Sequence, residues 1–470
     1  MVVMTVPLLV ALWGFSVDDA WIVSRVVENG LQTGVLSFNH GALRTDAITA
    51  LGFAEILAGI CLLLRTSDAF FAARALGAAC TLLSVAVSAW TVCAEPPRPS
   101  ARWLRPLLWF ATAGLSPSLA AWAGAGLETP LVGCLCTLGC AVWESARAPG
   151  QRGRRRELGA LLLGCAVALR PELVGFGFVG ALVLDQGRGP RQRWGPLLLL
   201  LAAPLVVAGL RLSCFGTPLP LALLAKEPDL GSGLRYGVGS LVLCGPLWLI
   251  WGLAAERTAS RPRWWLAFAA HGASVALAGG DWMPLYRLWL PVLPWLVAVG
   301  VRDVRRPRLV LAIALGAACV SSSLLFAFGA ATRRVIPRRE HMVAELRPLL
   351  QGARRIATVD IGWVGRATGA EVIDLAGVTD PRVAALSGGH TSKRIVPGFF
   401  AARSIDTWLI RAADRSYVVG APLETIACTY VVDARLVRRA EDLGFEGVAT
   451  VAVPGTDEQY VVARLERGRP

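Results

Sequence analysis

Residues 157–184 read ELGALLLGCAVALRPELVGFGFVGALVL, two apolar arms that meet at Arg170-Pro171-Glu172. An apolar run needs about 20 residues to cross a bilayer, so the stretch reads either as one span with a charged middle or as a hairpin with a charged tip. The basic loops decide. Arginines gather around Arg98 to Arg105, Arg147 to Arg156, Arg188 to Arg193, Arg257 to Arg263 and Arg302 to Arg308. Short loops rich in Lys and Arg stay on the cytoplasmic side. If all five do so, 157–184 enters and leaves on one side and becomes a helical hairpin. Pro disfavours the helical state of the residue before it, which suits a break at Arg170. Each arm has only about 14 residues, so the tip is expected inside a protein-lined cavity.

Working outward, further spans are expected near 1–16, 69–93, 104–123, 128–146, 194–213, 233–255, 264–279, 284–301 and 308–330. The same parity makes 47–64 a re-entrant or interfacial helix. About eleven crossings result, with the amino terminus cytoplasmic and residues 17–68 forming the first outer loop. The chain opens directly into VVMTVPLLVALWGF, without a basic leader or a small-residue cleavage site, which reads as a retained first span. Beyond 331 charge becomes dense and short β-rich runs appear, such as SYVVGA, CTYVVDA and QYVVARL. The expected architecture is a polytopic α-helical membrane protein. Its membrane domain covers 1–330, and an extracytoplasmic α/β domain covers 331–470.

Composition agrees. Of 470 residues, 55% are hydrophobic and only 17% charged, against about 25% charged in a typical soluble protein. Mean hydropathy is +0.55. These values exclude intrinsic disorder. The net charge of +14 could suggest nucleic-acid binding, but the arginines sit in short loops between apolar runs and form no basic face. No nucleic-acid partner is expected. Cys134, Cys136 and Cys140 occupy an apolar run without His or carboxylate companions, so they read as small packing residues rather than a metal site.

In this topology the unusual polar residues fall on the outer side. They are Asp18-Asp19 after the first span, then Arg25, Glu28, Asn29, Asn39, His40, Arg44 and Asp46 in the first loop. Glu128, Arg170, Glu172, Lys226, Asp281 and Arg287 follow from separate loops. Ionisable groups at membrane depth are costly and usually face a cavity or a partner, so one outward-facing site is expected. Within an adjacent carboxylate pair, one member can act as general base for a hydroxyl while its neighbour orients a group or holds a divalent cation. Nearby Arg and Lys suit a phosphate leaving group. The plainer reading is that Asp18-Asp19 begins a helix at Ala20, where carboxylates favour the helix dipole. Both readings are compatible. No pair of histidines has metal-ligand spacing, and no GxGxxG follows a strand and opens a helix, which disfavours soluble-nucleotide chemistry.

Several short segments together resemble the polytopic GT-C glycosyltransferases that use polyprenyl-phosphate sugars, closest to the bacterial subgroup of mycobacterial terminal arabinofuranosyltransferases. They are Asp18-Asp19-Ala20-Trp21-Ile22, Ser24-Arg25-Val26-Val27-Glu28-Asn29, Phe38-Asn39-His40-Gly41, Gly126-Leu127-Glu128-Thr129, Arg170-Pro171-Glu172, Ala225-Lys226, Gly279-Gly280-Asp281-Trp282-Met283-Pro284 and Asp374-Leu375-Ala376-Gly377-Val378-Thr379-Asp380-Pro381. The family's Pro in the loop turn is His40 here, its RYARN-like Tyr is Val26, and its EGYTS-like stretch is Arg44-Thr45-Asp46-Ala47-Ile48-Thr49. An arabinose assignment therefore does not follow.

The resemblance implies transfer of a sugar from a polyprenyl-phosphate donor to a cell-envelope glycan or glycolipid, with inversion, at the outer face of the cytoplasmic membrane. It implies Asp18 and Asp19 as the catalytic pair. By charge and position, Arg170, Lys226 and Arg287 are candidates for the lipid phosphate. Arg25, Asn39, His40, Glu128, Asp281 and Trp282 are candidates for sugar or acceptor, with Glu128 and Asp281 alternatively holding those cations. No cofactor is assigned, and a divalent cation could sit at the acidic pair. A transporter of lipid-linked saccharides and a non-catalytic envelope-assembly protein are the alternatives. In the outer domain Trp363, Trp408 and Tyr417 could stack on sugars, although aromatics in such domains are more often core.

Overall fold

The structure is a computed structural model. It describes residues 5–42, 44–94, 103–146, 153–185, 189–226, 229–240, 264–302, 307–328, 333–396 and 398–466. The chain divides into two compact units. One comprises Met1–Ser16, Ala73–Leu210 and Pro228–Arg333; the other comprises Val17–Ala72, Arg211–Glu227 and Arg334–Pro470.

The first unit is helical. The expected hairpin is present: helix Arg154–Leu169 ends at Arg170, whose extended backbone (φ −138°, ψ 93°) breaks the helix, and a short 3-10 turn Pro171–Leu173 leads into helix Val174–Leu184. Its base is closed by an ion pair. Arg156 donates to Asp185 through Nε at 2.8 Å and Nη2 at 2.5 Å, and Trp143 Nε1 donates to the same carboxylate at 3.2 Å. The neighbouring helix Thr129–Ser145 packs on the first arm through glycines. A Cβ on Gly159 would lie 2.7 Å from the Gly139 carbonyl and from the Trp143 amide. Small residues allow such backbone contact, the usual way helices pack when apolar surroundings remove the hydrophobic drive.

Hydrogen bonds also gather the ends that flank the basic loops. Arg302 pairs with Glu144 at 2.8 Å and donates to the Thr91 carbonyl at 3.0 and 3.2 Å. Trp143, next to Glu144, joins the Arg156–Asp185 pair. Thus residues bordering four of the five basic loops share one end of this unit. At the other end of Thr129–Ser145, Thr129 meets the hairpin tip at Arg170. That helix has 17 residues, so the two ends are about 25 Å apart, close to the thickness of a hydrocarbon core.

Among the described residues, two helices are long and apolar enough to cross a membrane, Ala69–Ala94 and Trp194–Phe215. The expected span at 308–330 holds the 22-residue helix Pro307–Phe328, while several others are shorter or broken. The stretch 104–123 becomes helix Leu104–Trp109, a π turn Phe110–Gly114 and helix Pro117–Ala123. The stretch 284–301 becomes a 3-10 segment Pro284–Trp289 followed by helix Leu293–Arg302. In both places prolines remove amide donors and interrupt the ladder. The stretch 47–64 holds the 12-residue helix Phe53–Leu64, and the described residues of 1–16 hold Val6–Ala11 as α-helix. Most of the 233–255 span, and the loops around Arg98, Arg147, Arg188, Arg257 and Arg305, lie wholly or largely outside the described residues.

The second unit contains a five-stranded sheet of order β2-β1-β3-β5-β4, from β1 (Arg355–Thr358), β2 (Glu371–Asp374), β3 (Thr407–Ala412), β4 (Phe445–Ala452) and β5 (Gln459–Leu465). β1 pairs in parallel with β2 and β3, while β5 runs antiparallel to β3 and β4. Helix Ile361–Ala367 is the crossover between β1 and β2. Trp408, Phe400 and Phe445 meet edge to face, with ring centres 5.4 to 6.2 Å apart, and form the core. Trp363, Trp408 and Tyr417 are all buried, which makes them packing residues rather than a sugar platform.

Candidate functional site

The acidic pair opens helix Asp18–Thr33. Asp18 accepts the backbone N–H of Gly362 through Oδ2 at 3.0 Å and that of Trp363 through Oδ1 at 2.7 Å. These are the second and third amides of helix Ile361–Ala367, the donors an N-cap side chain would take. The helix's own N-cap residue, Asp360, makes no such bond. Its carboxylate instead takes Arg411 Nη1 at 2.9 Å, the Tyr430 hydroxyl at 2.6 Å and the Tyr460 hydroxyl. Asp18 thus caps the helix from a distant part of the chain. Burial and the neighbouring Asp360 push its carboxyl up to about 7, against the opposing pull of the two amides.

Arg25 grips the other end of the same short helix. It donates to the carbonyls of Gly365, of Thr368 at 2.9 Å and of Ala370 at 2.9 Å, and its Nε donates to Phe38 O at 2.8 Å. A carboxylate at the amino end and a guanidinium at the carboxyl end both oppose the helix dipole. Asn39 continues the docking. Its side chain donates to Val372 O at 3.0 Å and accepts Val372 N–H at 2.9 Å, so an amide completes the open edge of β2. Arg25 and Asn39, expected as sugar or acceptor ligands, have these groups committed to holding the loop on the sheet domain.

His40 is exposed and lines a cavity of about 450 Å³ with Trp21, Arg25, Glu28 and Arg366. Asp46 is buried with Arg211, a residue hidden in the apolar run 194–213. Arg211 pairs with the Asp46 carboxylate and donates to Ile48 O at 3.0 Å and Thr49 O at 2.7 Å, while Asp46 also accepts Leu221 N–H at 3.1 Å. This fixes the carboxyl end of helix Pro190–Phe215 to the first loop. Lys226 is half-buried, and among the described residues its ammonium has no partner.

In the helical unit, the remaining candidates form two ion-paired groups. Arg170 bridges Glu128 at 2.6 Å and Glu172 at 3.0 Å and donates to Thr129 Oγ1 at 3.2 Å, with its Nε unpaired and buried. Arg287 pairs with Asp281 and lies over the Trp122 ring at 5.5 Å. Three carboxylates thus face two guanidinium groups, so Arg170 and Arg287 are charge-matched before any phosphate arrives. The chain between them is contorted. Gly279 and Gly280 have positive φ, and so do Leu285 (63°) and Tyr286 (50°). Left-handed backbone at two consecutive side-chain-bearing residues is strained, and such strain clusters at functional segments. Trp282 is exposed.

The segment Asp374–Pro381 closes on itself. Asp374 accepts the amides of Ala376 at 2.7 Å, Gly377 at 3.1 Å and Thr379 at 2.6 Å, and Asp380 caps helix Pro381–Ala384 and pairs with Arg403 at 2.6 Å. These residues serve folding. Among the described residues, no three His, Cys, Asp or Glu side chains gather as a metal site would require.

Sequence reading missed Arg211, Arg156, Asp185 and Asp360. The first lies within an apolar run and the next two looked like ordinary loop-flanking charges. No family model, no curated protein and no solved structure matches the chain.

Proposed function

We propose that the chain is a membrane glycosyltransferase that moves a sugar from a polyprenyl-phosphate donor to a cell-envelope glycan or glycolipid, at the outer face of the cytoplasmic membrane. The observation that carries the reading is the adjacent carboxylate pair Asp18-Asp19 at the start of helix Asp18–Thr33, with Asp18 anchored. Asp18 is held by two backbone amides, which makes it the rigid mount, and Asp19 is the general base. Asp19 takes the proton of an acceptor hydroxyl. The hydroxyl oxygen bonds to the anomeric carbon as the bond from that carbon to the phosphate oxygen breaks. The electron pair leaves on the lipid phosphate, and a single displacement inverts the anomeric centre. Lys226, a cation without a partner among the described residues, is the first candidate to meet the developing phosphate charge. Arg170 and Arg287 act through their carboxylates, holding the strained 279–287 segment and the hairpin tip.

The reading includes about eleven crossings, a cytoplasmic amino terminus and an outer sheet domain. It is supported by the gathering of loop-flanking ends around Arg302 and Asp185, and by the Arg211–Asp46 pair, which joins a helix end to the first loop.

Transport of a lipid-linked saccharide is the second reading, favoured by the buried ion pairs around Arg170. Detergent-purified protein and its Asp19→Asn form, incubated with host membrane lipids, separate the two by mass spectrometry of polyprenyl-phosphate sugars. Transfer predicts loss of one lipid-linked sugar and a new glycoside with the unaltered protein only. Unchanged donor pools with acceptor present, and substrate movement across liposomes, would replace transfer with transport.

A further inference from the structure

The cavity beside His40 lies along one face of helix Asp18–Thr33. Trp21, Arg25, Glu28 and Gln32 recur at intervals of three and four residues and line it together, so they share a stripe of the helix. Asp19 lies off that stripe, and the cavity is therefore separate from the proposed base. The far wall is supplied by Arg347, at the end of helix Val335–Leu349, and by Arg366. About 450 Å³ is room for one or two sugar rings.

The charges inside are not balanced. Arg25 is spent on carbonyl oxygens. Arg366 lies over the Trp21 ring at 5.0 Å and reaches Glu340 only at 3.8 Å. Arg347 has no partner among the described residues, and neither do the polar ends of Gln32 and His40. Against these cations the cavity wall offers one carboxylate, Glu28, which sits half-buried. A dianion would meet Glu28 at a cost, whereas one negative charge is met by the unpaired Arg347. The uncommitted amide and imidazole suit hydroxyl groups.

We infer that this cavity binds a saccharide carrying a single negative charge, with Arg347 holding the anion and Gln32 and His40 holding ring hydroxyls. The inference does not depend on transferase chemistry, because it is a statement about binding. It adds to that reading an acceptor-side ligand with an acidic sugar.

Calorimetric titration of the full-length protein tests it with three probes: methyl β-D-glucuronide, the neutral methyl β-D-glucoside and inorganic phosphate. The glucuronide is expected to bind at least tenfold more tightly than either of the others, about the contribution of one charge-assisted pair. Arg347→Ala, at an exposed and unpaired position, is expected to leave the melting temperature unchanged and to remove the preference for the charged sugar. Gln32→Ala is expected to weaken both glycosides alike. Equal binding of glucuronide and glucoside, tighter binding of phosphate than of glucuronide, absence of glucuronide binding, or an unaltered preference in Arg347→Ala would each overturn the inference. The Asp19→Asn protein is expected to bind the glucuronide as the unaltered protein does, so loss of transfer and loss of this site are read separately.

Discussion

Trp363 donates its backbone N–H to Asp18 Oδ1 at 2.7 Å, so a carboxylate from the first turn of helix Asp18–Thr33 closes the amino end of a helix in the sheet domain. The contact gives Asp18 a structural task, and the following predictions build on this and related contacts.

The Asp18 carboxyl is raised from 3.8 to about 7. A raised folded-state value means that the folded protein holds this proton more tightly than the unfolded chain does. The sign follows: the contribution of this group to stability falls as pH rises from about 4 to about 7. Asp18→Asn cannot ionise. In melting experiments across pH 4 to 8, the difference between variant and parent should move in the variant's favour as pH rises. A constant difference would remove the raised carboxyl from the account.

Arg25→Lys keeps the charge but loses the planar fork that reaches four carbonyls. The loss is expected to cost on the order of 2 kcal/mol. Hydrogen exchange should quicken in helix Ile361–Ala367 and in residues 36–40, while the sheet core around Trp408 stays protected.

Arg156 and Asp185 are both buried. Removing either partner alone strands the other charge, with an expected loss of about 3–5 kcal/mol. Replacing both with apolar residues of similar size should recover most of that loss. Stability of the two single variants and the double variant, measured by denaturation in detergent, checks the cycle.

Gly159→Ala would put a methyl group 2.7 Å from the Gly139 carbonyl. Since that neighbour is backbone, the helices must separate, at about 1–3 kcal/mol. Gly153→Ala, where a Cβ meets open space, is the control and should be close to neutral.

The hairpin was legible because its signals are local. Pro171 follows a charged residue between two apolar arms, and the break falls at Arg170. The sheet domain was legible only in part: QYVVARL becomes strand β5, whereas SYVVGA forms coil and turn, and the VVDA of CTYVVDA opens helix Val431–Val437 because a β-branched run fits either element until its neighbours pack. The number of crossings was harder, because hydropathy records apolar length and is blind to the π turn at Phe110 and the 3-10 segment at Pro284. Long-range pairing was not legible at all. Nothing near Asp18 announces an amide 345 residues away, and nothing in Arg170 or Arg287 distinguishes a cation awaiting phosphate from one already paired with Glu128 or Asp281. Charge identifies which residues matter, and only the fold says which of them are already spoken for.

The grip of Asp18 and Arg25 on helix Ile361–Ala367 also orders events during synthesis. The gripping residues leave the ribosome some 340 residues before the helix they hold. Helix Asp18–Thr33 must therefore wait, with a carboxylate and a guanidinium unsatisfied, until residues 361–370 have been synthesised and folded. A chain halted before β1 would present the acidic pair on an undocked segment. Anchoring of the acidic pair is thereby tied to synthesis of the sheet domain, and a chain halted before it would lack both contacts.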